Sequence, residues 1–158
     1  MLVTTPTRPV RVRARTDRRQ QARQWCDRLA EPIPIRWAVW GIVALVGANV
    51  AAGVLEPVPA NPGAPEPWLV SVASTVAVLA MLPALGGLLA RRRWGMALSA
   101  FAAGIAVVLV AGCPLSGHHH FGLWWVGEFG GMAAWAAVSV AGLRCPPGSR
   151  RAARAAWR

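Results

Sequence analysis

Residues 112–131 read GCPLSGHHHFGLWWVGEFGG, and their types could support two chemistries. Imidazole and thiolate are ligands for Zn²⁺ or Cu²⁺. Of the three consecutive histidines, His118 and His120 have the i, i+2 spacing that turns two rings the same way on an extended segment. Cys113 is the third candidate ligand, and Glu56 or Glu66 could add a carboxylate. No cofactor is predicted outright; Zn or Cu is what these side chains would accommodate. Against this stands a solvated histidine loop, or a histidine donating to Glu128. That glutamate carries the second chemistry. A carboxyl inside a long apolar run is costly to bury, and so marks a candidate proton or cation site.

Four stretches are long enough to position such groups across a hydrocarbon core, which needs about 20 apolar residues. They run over residues 37–55, 68–90, 94–113 and 121–143, and Glu128 is the one formal charge inside them. The chain is 55% hydrophobic with a mean hydropathy of +0.41, yet its net charge is +11. Its charges are therefore segregated from its apolar runs, which excludes a nucleic-acid-binding protein and points to the membrane class. All 17 basic residues are arginine. With abundant Ala, Gly, Pro and Val, this fits codon bias in a GC-rich bacterial genome.

The arginines also predict orientation. Nine lie in residues 1–36, three at Arg91–Arg93 and five from Arg144 onward, whereas Glu56–Pro67 and Pro114–His120 contain none. With an even number of spans, both termini and the 91–93 turn share a side, which the positive-inside rule makes cytoplasmic. The histidines then face outward. The expected fold is an all-α integral membrane protein: an antiparallel bundle of four transmembrane helices with cytoplasmic N- and C-termini. Residues 1–34 form a basic, mostly disordered arm, 35–144 the transmembrane domain and 145–158 a basic tail. The long basic lead before the first span and its length of about 19 residues argue for a retained span rather than a cleaved signal.

A ruler of 1.5 Å per residue puts Glu128 about 10 Å below the outer boundary. Asn49, Ser74 and Thr75 fall in the same layer, which defines a candidate polar pocket of Asn49, Ser74, Thr75 and Glu128. Glu128 shares a helical face with Trp124, Trp125, Gly131, Met132 and Trp135. Gly131 on that face implies a close neighbour, so the carboxyl is expected to point into the bundle. There it is either protonated or shared in a hydrogen bond with Asn49 or a hydroxyl, because burial disfavours the charged form.

The arm and the inner turn supply a second set of contacts. Arg8, Arg11, Arg13, Arg15, Arg18, Arg19 and Arg23, with Arg91, Arg92 and Arg93, would attract an anionic inner leaflet at about 1 kcal/mol per residue. The simpler reading makes them topology determinants alone. A short helix around Thr16–Ala30 is allowed, with Trp25 and Leu29 on one face. Five prolines in Glu56–Pro67 make that loop an extended strap. Short connections make spans two and three, and three and four, neighbours. Small residues four apart (Ala44, Ala48, Ala52; Gly95, Ser99, Ala103; Gly127, Gly131) allow close helix packing, and Pro83 is expected to kink the second span.

Several functional classes fall away. Cys26 and Cys145 lie on the inner side and Cys113 alone on the outer, so a thiol oxidoreductase with an outward disulfide is excluded. Pro114–Leu115–Ser116–Gly117–His118 resembles the PSGH motif of membrane phosphatidic-acid-type phosphatases, with an inserted leucine. That resemblance implies lysine and arginine phosphate donors on the same side and a second motif with a nucleophilic histidine. The chain has no lysine, and its outward loops have no arginine. Small four-span multidrug transporters place their buried glutamate in span one, not span four, and a four-helix cytochrome b needs histidines within its spans. The reading that remains is a small non-enzymatic accessory or interaction protein of a bacterial plasma membrane, acting through a membrane-protein partner or a second copy. Its alternative is a small transporter, or a proton- or metal-handling protein, using Glu128 and the His118–His120 loop.

Overall fold

A computed structural model describes residues 20, 21, 23–55, 67–115 and 122–145. Within them the elements are helices: α1 (23–30), α2 (Ile35–Leu55), α3 (Trp68–Leu89), α4 (Arg93–Leu115) and α5 (Leu123–Arg144). The last four are each long and apolar enough to cross a membrane. At 21–23 residues they measure roughly 32–34 Å, matching a core of about 30 Å. Apolar side chains on every face suit helices that meet lipid as well as one another, and helical bonding satisfies each backbone amide within the segment.

The boundaries move by one or two residues from those read in the sequence. Two-residue shifts fall at the starts of α2 and α5 and at the end of α4, which continues through Pro114 to Leu115. Proline is tolerated there because its missing N–H removes one bond near the helix end rather than breaking the middle. Pro83 sits within α3, which runs as one helix through it.

The helices pack in the order α3, α4, α5, α2, while α2 touches α3 and α4 much less and α3 and α5 do not meet. The hairpin between α3 and α4 is the tightest seam. A Cβ added to Gly87 would lie 2.5 Å from the Gly95 Cα, so the two backbones are in direct contact. The α4–α5 seam is deep and partly polar, with Met96, Ser99, Ala102 and Ala103 buried on α4 and Met132, Trp135 and Ser139 on α5. On α2, Ala48 approaches Gly131 of α5, 3.9 Å from where its Cβ would stand. The small-residue stripes thus lie on helix–helix seams.

At the end where the arginines cluster, the Arg91–Arg93 turn acts as a clasp. Arg91 adopts φ 55, a conformation that costs a non-glycine residue about 1–2 kcal/mol. The bonds around it offset that cost. The Ile33 amide donates to the Arg91 carbonyl at 2.8 Å, and the Arg93 amide donates to the Glu31 carbonyl at 3.1 Å. These two bonds flank an antiparallel bridge between Pro32 and Arg92. The Arg91 guanidinium donates to the Ile33 carbonyl, and Arg92 Nη1 donates to the Ala30 carbonyl at 2.6 Å. Arg92 thereby caps the C-terminal end of α1, where a cation is favoured by the helix dipole. Arg93 pairs with Glu31 at 3.6 Å and donates to the carbonyls of Leu143 and Cys145. Three successive arginines therefore tie α1, the start of α2, the α3–α4 turn and the end of α5 together.

Candidate functional site

Glu128 is 8% exposed. It heads the buried stripe of α5, followed by Met132, Trp135, Ser139 and Gly142 at helical spacing. The lower members identify what that stripe faces. Trp135 Nε1 donates to Ser99 Oγ at 2.7 Å, and Ser99 Oγ and Ser139 Oγ share a hydrogen bond at 3.0 Å. Gly142 lies under Met96. Glu128 is therefore on the face of α5 turned toward α4. The neighbouring face, at Gly127 and Gly131, receives Leu55 and Ala48 of α2.

The other members of the layer are held by their own helices. Asn49 is half-buried, and its side-chain amide donates to the Leu45 carbonyl at 2.7 Å. Ser74 and Thr75 hydroxyls donate to the Ser71 carbonyl at 3.0 and 2.7 Å. A hydroxyl or amide in an apolar helix can always satisfy itself this way, one turn back. Because α3 does not meet α5, the structure does not bring Ser74 and Thr75 to Glu128. Asn49 stands on α2, which does pack on α5, one residue from the Ala48–Gly131 approach.

Cys113 is half-buried near the end of α4. His118 and His120 lie outside the described residues, as do Glu56 and Glu66, and no metal-holding group of three or more ligands occurs among the described ones. In the arm, Arg23 is exposed on α1; Arg8, Arg11, Arg13, Arg15, Arg18 and Arg19 lie outside the described residues, as does the tail beyond Cys145.

One contact at the rim of the site follows from the chain's chemistry. Pro114 has no N–H, so it cannot donate to the Val110 carbonyl four residues earlier. Val110 is buried, where an unmet carbonyl is costly. Trp125 Nε1 donates to that carbonyl at 2.9 Å, and its ring stacks on Phe129 at 5.1 Å. The indole of α5 thus replaces the bond that proline removed from α4, one turn before Glu128. Neither this contact nor the Ser99–Ser139–Trp135 cluster was anticipated from the sequence. The available signals were a proline near a helix end and a tryptophan too deep to serve an interface.

Comparison with known proteins finds no matching family model, no similar curated protein and no similar solved structure.

Proposed function

We propose that this chain is a multi-pass protein of a bacterial plasma membrane, with four crossings and cytoplasmic termini, and that it serves as a non-enzymatic accessory or interaction protein. The observation that carries the reading is how its buried polar groups are used. Ser99, Ser139 and Trp135 bond to one another, and Trp125 bonds to the Val110 carbonyl. Polar groups committed to joining helices suit a rigid scaffold that presents its surface to partners. Those partners are an anionic inner leaflet, and a membrane protein or a second copy of this chain. The orientation rests on the complete segregation of arginine to one set of ends.

Glu128 favours a second reading, a small transporter or a proton- or metal-handling protein, because a buried carboxyl in a span is a working group in many membrane proteins. Proteoliposomes separate the two. In the accessory reading, vesicles holding the wild-type chain take up protons and Zn²⁺ no faster than empty ones, and Glu128→Gln changes nothing. Uptake that is driven by the wild type and lost in Glu128→Gln replaces the accessory reading with the transporter.

Orientation has its own test. Reporters fused after Arg158 and at Arg92 are expected to read cytoplasmic, and a tag near Ala60 external. One inverted fusion removes the four-span topology.

A further inference from the structure

The end of α5 differs from that of the other three long helices. Its last turn carries a basic residue, Arg144, and theirs carry none. Arg144 is exposed and makes no hydrogen bond or ion pair to any described residue. Capping there is done instead by Arg93, through the carbonyls of Leu143 and Cys145. The Arg144 guanidinium is therefore not needed to finish the helix.

One, one and two turns back on the same face lie Ala141, Val140 and Ala137. With Arg144 and Cys145, all at the end of α5, they line a shallow, open trough of about 450 Å³ on the surface of that one helix. Its surface is mostly apolar, and it runs about 10 Å along the helix at 1.5 Å per residue. Alanine at two of the positions keeps it open. Arg144 closes one end, at the level where a helix of this length leaves the hydrocarbon.

An apolar trough that ends in a solvent-facing guanidinium suits a molecule with an acyl chain and a phosphate at one end. A soluble anion would leave the trough unmatched. A zwitterionic lipid would bring its own cation against Arg144. The geometry points to a binding site for one anionic phospholipid, its phosphate on Arg144 and the first part of an acyl chain along Val140, Ala141 and Ala137. This rests on α5 being a membrane span, as proposed above, and deepens the lipid partner from diffuse attraction to one place on the protein.

The test uses the full chain in detergent micelles, titrated with phosphatidylglycerol or phosphatidylcholine of matched acyl chains and read by native mass spectrometry. Phosphatidylglycerol is expected to bind first. Arg144→Gln should weaken its retention by roughly fivefold, the effect of one basic residue at a membrane surface. Ala137→Leu, which fills the trough and leaves the charge unchanged, should also weaken it. Arg36→Gln, an equal change of charge at the start of α2, should not. All three positions are exposed, so the interior is untouched. Equal losses in Arg36→Gln and Arg144→Gln, or an unaffected Ala137→Leu, would overturn the site in favour of diffuse electrostatics. Alkaline carbonate extraction of chain-bearing membranes reads the span assignment separately: release into the soluble fraction would remove the membrane reading itself.

Discussion

Gly87→Ala is expected to force the α3–α4 hairpin apart, whereas Gly86→Ala, one residue earlier, leaves it intact or slightly firmer. A Cβ on Gly87 would lie 2.5 Å from the Gly95 Cα, 2.8 Å from the Gly95 nitrogen and 2.7 Å from Trp94 Cζ3. Two of these three atoms are backbone, and no rotamer change can move them. The converse holds for Gly95, whose Cβ would meet the Gly87 carbonyl carbon at 2.4 Å and the Leu88 nitrogen at 2.5 Å. The seam cannot relax by sliding, because the turn beside it is fixed by the Ile33–Arg91 and Glu31–Arg93 backbone bonds. Overpacking of this kind costs about 1–3 kcal/mol and occasionally more, and immobile backbone on both sides places Gly87→Ala near 3. Gly86 has nothing within 4 Å of its added Cβ. There alanine loses less backbone entropy than glycine, a gain of up to about 1 kcal/mol. Thermal unfolding of the two variants in the same micelle measures the contrast. Similar midpoints for both would mean that the close approach of α3 and α4 is wrong.

The spans were legible because the bilayer constrains length and polarity so strongly. Runs of about 20 uncharged residues have few other structural outcomes. Gly95, Ser99 and Ala103 could be recognised as a packing face for a similar reason, since small side chains at that spacing invite a backbone. The clasp was not legible. Arg91, Arg92 and Arg93 read as topology determinants or lipid contacts, and nothing in their types showed that their guanidinium groups also bond to the carbonyls of Ile33, Ala30, Leu143 and Cys145. Backbone carbonyls are present at every position, so no residue type announces which of them will be used.

The polar layer shows a different limit. Counting 1.5 Å per residue gives depth, but neither azimuth nor which helices are neighbours. Asn49, Ser74, Thr75 and Glu128 lie within one layer by that ruler, yet α3 and α5 do not meet. Two of the four therefore turn back to Ser71 on their own helix. Depth and adjacency coincide when every helix touches every other, and here α3 and α5 do not touch.

Trp125→Phe is expected to destabilise the wild-type chain by about 1–3 kcal/mol, the cost of leaving a buried carbonyl without a donor, and to cost clearly less when Pro114 is alanine. Val110 is 7% exposed, and Pro114 denies its carbonyl the usual intrahelical partner. The indole N–H, 2.9 Å away, is the replacement. Phenylalanine keeps an aromatic ring beside Phe129 but has no donor. In Pro114→Ala the new amide can bond to Val110 from within α4, so loss of the indole leaves nothing unmet. Any change in ring packing is common to both backgrounds and cancels in the cycle. The coupling between the two substitutions should then be about 1 kcal/mol, against the 0.3–0.5 kcal/mol within which unrelated sites add. Unfolding free energies of the four chains in one micelle provide the measurement. If the effects simply add, Trp125 is an interfacial ring that happens to lie near α4. A measured coupling makes it the group that lets a proline stand in the last turn of a long apolar helix, and it ties the end of α4 to the start of α5 one turn from the buried Glu128.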